Sequence, residues 1–169
     1  MSPTAQRDKA AELAKVCSWE ALALARGIRD PWFRAQALSW VVRYTDNNAV
    51  SIAREAAESA SECDDAYRRS TVRAWEIAAL GESGNTDEAR SSLISALQES
   101  KLATPLCSRA EALTYLLEAA FTIGFDEARL VVRELRGACG EGRHWRCKRA
   151  IKNAGLLISG EMSPRTYFW

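Results

Sequence analysis

Apolar residues along this chain recur at steps of three and four positions, and they do not alternate with polar residues. This spacing is typical of amphipathic α helices, and the abundant Ala, Leu, Glu and Arg are strong helix formers. No run of alternating β-branched residues offers a strand. The pattern predicts an all-α protein with about nine helices, at 4–16, 18–28, 31–45, 48–61, 65–82, 86–100, 105–123, 126–138 and 143–159.

Proline supports two of these helix starts. Asp30-Pro31 and Thr104-Pro105 each place a capping residue before a proline at the first helical position. Proline is favoured there because its missing N–H would have no partner within the helix. We therefore expect helices to begin at these two points.

The helices form two alternating sets with an internal repeat. The first set carries Arg at 34, 69, 109 and 146, followed six residues later by Trp40, Trp75, Tyr115 and Lys152. The second set carries small or apolar residues at i, i+4 and i+7, in the triplets Ala21/Ala25/Ile28, Ala49/Ala53/Ala56, Ala89/Leu93/Ala96 and Ala128/Val132/Leu135. A repeat of 35 to 40 residues in alternating helices indicates antiparallel helical hairpins stacked as an α-solenoid.

The segment 75–97, Trp-Glu-Ile-Ala-Ala-Leu-Gly-Glu-Ser-Gly-Asn-Thr-Asp-Glu-Ala-Arg-Ser-Ser-Leu-Ile-Ser-Ala-Leu, resembles a tetratricopeptide repeat. Its Gly84, Ala89, Leu93 and Ala96 match that family's turn glycine and second-helix positions. The longer period also makes the chain similar to HEAT repeats. On this phasing one domain covers residues 1–162, with hairpins at 4–28, 31–61, 65–100 and 105–138 and a cap helix at 143–159. An aromatic tail, residues 163–169, follows it.

The resemblance implies a function. In tetratricopeptide-like proteins the first helix of each hairpin lines a concave groove that holds a peptide or a helix of a partner protein. We therefore expect a non-catalytic interaction scaffold. The groove candidates carried over from the resemblance are Gln36, Arg43, Arg73, Glu111, Glu118, Lys148 and Lys152.

Charge is concentrated near the C-terminal end. The whole chain has a formal net charge of +1, which is low for a dedicated nucleic-acid binder. Eight basic residues nevertheless lie between positions 129 and 152, opposed by Glu134 and Glu141 alone. An alternative function is therefore binding of nucleic acid or an acidic partner through Arg129, Arg133, Arg136, Arg143, Arg146, Lys148, Arg149 and Lys152.

Cys139, His144 and Cys147 are the one cluster with metal-ligating potential. A structural zinc site needs about four ligands, and the fourth would have to be Cys107, Glu141 or a distant residue. Cys147 occupies a small-residue slot of the repeat, so a packing role is favoured. No phosphate-binding glycine loop is present. We expect no catalytic residue, metal or cofactor, and therefore no enzyme.

The N-terminal segment, the length of the apolar runs and the cysteine content bear on the location of the protein. Met1 to Lys9 lacks the apolar run of a signal peptide, and no apolar stretch is long enough to span a membrane. Five scattered cysteines argue against a disulfide framework, so a cytoplasmic protein is expected. The oligomeric state stays open.

Two groups of aromatic residues remain. Trp40, Trp75 and Tyr115 share one repeat position, which favours a role in the core. The tail ends in Tyr167, Phe168 and Trp169, which either fold back over the last helix or insert into a neighbouring molecule. Folding back is the favoured interpretation.

Overall fold

The computed structural model describes residues 1–140 and 143–169. Within these ranges the chain is all-helical, with no strand, as the apolar pattern predicts. Every predicted boundary lies within three residues of the observed one. The helices are α1 (Pro3–Ala14), α2 (Ser18–Arg26), α3 (Pro31–Tyr44), α4 (Ala49–Ser61), α5 (Ala66–Glu82), α6 (Thr86–Ser100), α7 (Leu106–Ala120), α8 (Phe125–Cys139) and α9 (Trp145–Ser159).

The two predicted proline starts differ in detail. Asp30 caps α3, and its carboxylate accepts hydrogen bonds from the backbone N–H groups of Trp32 and Phe33 at 3.0 and 3.3 Å. Pro31 is then the first helical residue, as predicted. At the second start the helix begins one residue later than expected, because Pro105 itself occupies the capping position of α7.

The helices stack in two layers. The odd-numbered helices α1, α3, α5, α7 and α9 pack on one another in sequence order, and each even-numbered helix packs on the odd-numbered helices beside it. This is the predicted solenoid of antiparallel hairpins. We call the side of the odd layer that is turned away from the even-numbered helices the inner face. On the other side, α4 and α6 are separated by a cleft of about 460 Å³ that we call the outer cleft.

Small residues allow the layers to approach each other. Ala25, Ala53, Ala89 and Ala128, taken from the predicted triplets, are all buried in one continuous core. A side chain no larger than a methyl group lets the facing helix come close, so larger neighbours such as Leu93 can pack around it. The alanine rows are therefore packing positions.

The repeated arginine joins each hairpin to the one before it. Arg34 donates to the backbone carbonyl of Ile28 at 3.3 Å and to the Glu62 carboxylate at 2.5 Å. Arg69 makes the same two kinds of contact, with the Cys63 carbonyl at 3.2 Å and with Glu99 at 2.6 Å. In both repeats one guanidinium binds the preceding loop and the end of its own hairpin. This clamp explains why the residue recurs.

The third copy of the clamp is incomplete. Among the described residues, the Nε atom of Arg109 is buried and has no hydrogen-bond partner. The paired carboxylates lie 28 positions after Arg34 and 30 positions after Arg69, and the corresponding positions after Arg109 are Gly137 and Cys139, which carry no carboxylate. An unpaired buried donor costs about 1–3 kcal/mol. This repeat is therefore less well satisfied than the other two.

The chain reverses direction after α9. Gly160 has a φ of 79°, in the left-handed region that glycine adopts without a steric penalty. Its N–H donates to the Leu157 carbonyl at 3.2 Å, and the N–H of Met162 donates to the Leu156 carbonyl at 3.1 Å. This helix-ending turn directs the tail back towards the odd-numbered helices.

Candidate functional site

A row of aromatic residues runs along the inner face. Trp40 of α3, Trp75 of α5 and Tyr115 of α7 occupy the same repeat position, so these three helices each present one ring to the same side. The Trp75 and Tyr115 rings are stacked with their centroids 5.8 Å apart. Tyr44 extends the row by stacking on Trp40 at 5.9 Å. We call Trp40, Trp75 and Tyr115 the aromatic row.

The tail lies across this row, and its residues adopt neither helix nor strand. The Tyr167 ring meets the Trp75 ring edge-on at 5.3 Å, and the Phe168 ring meets Trp40 edge-on at 5.1 Å. Edge-to-face contacts at these distances are favourable arrangements of aromatic rings. The tail therefore passes from α7 across α5 to α3, well beyond the last helix that the sequence led us to expect it to cover.

Tyr167 is the most deeply inserted tail residue. Only 2% of its surface is exposed, and its hydroxyl donates to the Tyr115 backbone carbonyl at 2.6 Å. Burial raises the pKa of the Tyr167 phenol well above its usual value of 10, and the nearby Glu118 carboxylate adds to the shift. The phenol therefore stays neutral in the docked tail and keeps its proton for the hydrogen bond.

Arg165 holds the start of the docked segment. Its guanidinium donates to the Glu118 carboxylate at 2.5 Å and lies over the Tyr115 ring, 3.9 Å from the centroid. Glu118 is only 11% exposed, so water screens this ion pair less than it screens a surface pair. The guanidinium of Arg165 therefore makes both an ion pair and a cation–π contact, and these fix the chain two residues ahead of Tyr167.

At Trp40, where the docked tail ends, one buried polar group is left without a partner in the described part of the chain. Trp40 is fully buried, yet its indole N–H has no hydrogen-bond partner among the described residues. Leaving such a donor unsatisfied costs about 1–3 kcal/mol. Trp40 is buried, as the prediction of a core role for the repeated aromatic position requires. The residues that bury it include Phe168 and Trp169 of the tail, which the prediction did not foresee.

Beyond Arg165 the inner face is open. A cleft of about 400 Å³ lies between α7 and α9, and Arg165 forms part of its wall. Trp145, which is 57% exposed, carries the guanidinium groups of Arg146 and Arg149 over its ring at 5.5 and 5.0 Å. Glu111 also lines this cleft. The docked tail and the open cleft form one continuous groove with acidic, basic and aromatic groups.

Three of the seven predicted groove residues lie on this inner surface. Glu118 binds Arg165, and Glu111 lines the open cleft. Gln36 precedes Trp40 by one helical turn and is buried there, where it accepts a hydrogen bond from Arg7 at 2.8 Å. The Arg7 guanidinium lies 5.9 Å from the centre of the Trp169 ring. The stacking of α3, α5 and α7 in one layer places these three residues on the same face.

Arg73, another predicted groove residue, lies on the side of α5 opposite to the aromatic row. It lines the outer cleft, where it pairs with the buried Glu76 carboxylate at 2.5 Å. Ser92 of α6 donates to the same carboxylate at 2.6 Å. The reason is helix geometry, because Arg73 and Trp75 are two positions apart and each position rotates the helix by about 100°.

The remaining predicted residues lie at the margins. Arg43 pairs with Glu82 at 2.5 Å, beside a depression formed by the loops that follow α3 and α5. Lys148 and Lys152 are exposed on α9 and do not line the open cleft. None of the three contacts the tail among the interactions of the described residues.

The basic region divides between two surfaces. Arg146 and Arg149 face the open cleft, whereas Arg129, Arg133 and Arg136 line a second cleft of about 380 Å³ between α8 and α9. Arg143 is exposed beside the start of α9. In the described part of the chain none of the eight basic residues forms an ion pair, although arginines elsewhere do so repeatedly, among them Arg7, Arg26, Arg34, Arg69 and Arg90.

The cysteine and histidine cluster is used for packing and capping. Cys139 and Cys147 are buried, and burial, with a contribution from the Cys147 thiol, raises the pKa of Cys139 to about 12. His144 is exposed, and its Nδ1 accepts the N–H of Arg146 at the start of α9. Across residues 1–140 and 143–169 no three potential ligands are grouped for a metal. Glu141, the other proposed ligand, lies outside these ranges.

The tail residues are what sequence reasoning missed at this site. Arg165 and Tyr167 contact α7 from about 50 positions away in sequence. One signal was available, since a row of aromatic residues in the repeat and an aromatic tail occur in the same chain. That signal indicates an aromatic contact, but it does not assign each ring to its partner.

Comparisons with protein-family models, curated proteins and solved structures give no match. Within residues 1–140 and 143–169, none of the helices combines the length and the apolar character needed to cross a membrane.

Proposed function

We propose that this protein is a non-catalytic interaction scaffold that binds a peptide or helix of a partner protein along the inner face. One observation carries the proposal: a segment without regular structure already lies in this groove, held by Glu118, Trp75 and Trp40. A groove that forms an ion pair, buries a phenol and contacts a second ring edge-on provides the kinds of contact by which proteins bind peptides. This function agrees with the resemblance to tetratricopeptide-like repeats.

The open cleft between α7 and α9 supports the same function. It continues the groove past the tail, so a longer segment has room to bind there without displacing any residue. Glu111 and Arg149 supply opposite charges, and the Trp145 ring supplies a flat apolar surface. Exposed aromatic and arginine side chains are enriched where proteins bind one another.

Site-specific photocrosslinking in host lysate tests the proposal. A photoreactive residue replaces Thr114, which lines the open cleft, and in a matched variant replaces Arg54, which lines the outer cleft. We expect a discrete protein to be crosslinked from position 114 and not from position 54, at both low and high salt. Equal crosslinking from both positions, or none from position 114, contradicts a partner in the groove.

The second candidate function is binding of nucleic acid or an acidic partner by the basic region. The observation that favours it is the absence of ion pairs among its eight basic residues in the described chain, which leaves their charge available. Replacing Arg129, Arg133 and Arg136 by Gln removes three charges from one cleft. If this function holds, affinity for a duplex oligonucleotide falls steeply with salt, and the triple variant shows a shallower slope. A salt-independent affinity contradicts it.

A further inference from the structure

The docked tail shows which side chains the groove accepts. Its first position takes a cation, because Arg165 meets the Glu118 carboxylate and the Tyr115 ring. Thr166, the next residue, is exposed. The third position takes a phenol, since Tyr167 is buried against Trp75 and its hydroxyl reaches the Tyr115 carbonyl. The fourth takes a second ring.

These positions together define a short recognition pattern: a basic residue, any residue, a tyrosine and an aromatic residue. The basic residue contacts α7, the tyrosine contacts α7 and α5, and the last aromatic residue contacts α3, so the spacing of the pattern follows the spacing of the helices. The charge requirement is specific, because Glu118 is largely buried and a second carboxylate beside it would be repelled. A partner of this chemistry fits the groove as the tail does.

The tail is also held in a way that permits its exchange. Residues 163–169 make no backbone hydrogen bond to the helices among the described interactions, so side chains alone hold them. Arg165, which forms the tail's ion pair with Glu118, keeps a 38% exposed side chain, so one of these side-chain contacts is open to competition from solvent and from other ligands.

We propose that the tail is an internal ligand that closes the groove, and that the partner is a peptide segment with the same basic-x-Tyr-aromatic pattern, which binds by replacing it. This inference rests on the proposed function, since it specifies the ligand and the regulation of the same groove. The tether makes the tail a strong competitor. A segment joined by a short linker acts at an effective concentration of about 1 mM.

The test uses the full chain and a fluorescent, amidated peptide with the sequence of residues 161–169. Its affinity is measured for the wild-type protein and for Tyr167→Ala/Phe168→Ala, in which the internal ligand is weakened. For an intrinsic Kd of about 10–100 µM, competition at about 1 mM makes the double variant bind about 10- to 100-fold more tightly. Equal affinity for the two proteins, or no binding to the double variant, overturns the proposal.

A charge exchange keeps the proposal testable if the double variant is poorly folded. In the otherwise unchanged chain, Arg165→Glu removes the ion pair with Glu118 and the cation–π contact with Tyr115, and it is expected to raise affinity for the original peptide. Adding Glu118→Arg should then lower that affinity at least 10-fold, because a peptide arginine now meets an arginine and because the exchanged charges restore the ion pair between the tail and α7. A peptide carrying Glu in place of Arg165 provides the reverse control with Glu118→Arg. Unchanged preference in both variants overturns the proposed recognition pattern.

The oligomeric state shows whether each tail occupies the groove of its own chain or that of a second copy. Light scattering should show a monomer at the concentrations of the binding assay, because each tail occupies its own groove. A dimer that dissociates in Tyr167→Ala/Phe168→Ala would show that tails exchange between two copies, and it would overturn an internal ligand. If these assays fail while crosslinking from position 114 persists, the groove binds a partner of different chemistry and the proposed function stands.

Discussion

Replacing Tyr167 by Ala should release the tail completely. The ring of a buried tyrosine removes about 150–250 Å² from water, which at about 25 cal/mol per Å² contributes about 4–6 kcal/mol. The hydrogen bond to the Tyr115 carbonyl adds about 1 kcal/mol. Against this, ordering the backbone of the tail costs about 1–2 kcal/mol for each residue. Since these terms are of similar size, the net free energy of docking is a few kcal/mol at most.

This balance sets a ceiling on what a substitution in the tail can cost. Once the tail is released, no further contact of the tail can be lost. We therefore expect Tyr167→Ala to lower the free energy of unfolding by about 1–3 kcal/mol, within the small net stability of a protein domain. Adding Phe168→Ala should then change it by less than about 0.5 kcal/mol. The single change Phe168→Ala alone should still be destabilising.

Urea unfolding followed by far-ultraviolet circular dichroism measures these free energies, and the two single variants and the double variant complete a double-mutant cycle. Trp145→Ala is the control for loss of an aromatic side chain, because this ring is mostly exposed and should cost less than about 0.5 kcal/mol. Fully additive losses from Tyr167→Ala and Phe168→Ala would refute the reasoning, since they require the tail to stay docked without the tyrosine.

Three further predictions concern the helices and the tail. Gly81→Ala should destabilise the protein by about 1–3 kcal/mol in thermal unfolding, because an added Cβ would lie 2.9 Å from the Thr122 backbone carbon. The cost of this overlap exceeds the gain in helix propensity that alanine brings. Gly137→Glu should stabilise it more than Gly137→Ala does, by about 0.5–1 kcal/mol, and the difference should vanish when Arg109 is replaced by Gln. Tail docking should weaken above about pH 10, because a phenol whose docked pKa is raised binds more protons docked than free. Near-ultraviolet tyrosinate absorbance should show late-titrating groups, of which Tyr167→Phe removes one; Tyr67, whose pKa burial raises to about 12, should remain.

Local sequence signals account for most of the helices. The spacing of apolar residues predicts the nine helices of the described residues to within three positions, because helix formation depends on neighbours three and four positions apart. Asp30-Pro31 predicts a helix start for the same local reason. The recurrence of arginine at 34 and 69 also predicts the repeat, and the structure shows its cause in the clamp to the preceding loop.

The groove could be predicted only in part. Among the predicted groove residues, Glu118, Glu111 and Gln36 lie on the inner face, whereas Arg73 lies on the other side of α5, in the outer cleft. Sequence periodicity shows that a helix has two faces, yet it does not identify which neighbour covers each face. A shift of two residues therefore turns a groove residue into a residue of the outer cleft.

By itself the sequence determined the helices, their alternation and the stacking of hairpins, because these depend on contacts between residues close along the chain or repeated at a fixed interval. Only the tertiary structure decided that the aromatic row is covered by the tail. Arg165 and Glu118 are 47 positions apart, and their contact depends on the turn at Gly160 and on the path of the chain across three helices. That path is the sum of many packing contacts, and no single spacing in the sequence encodes it.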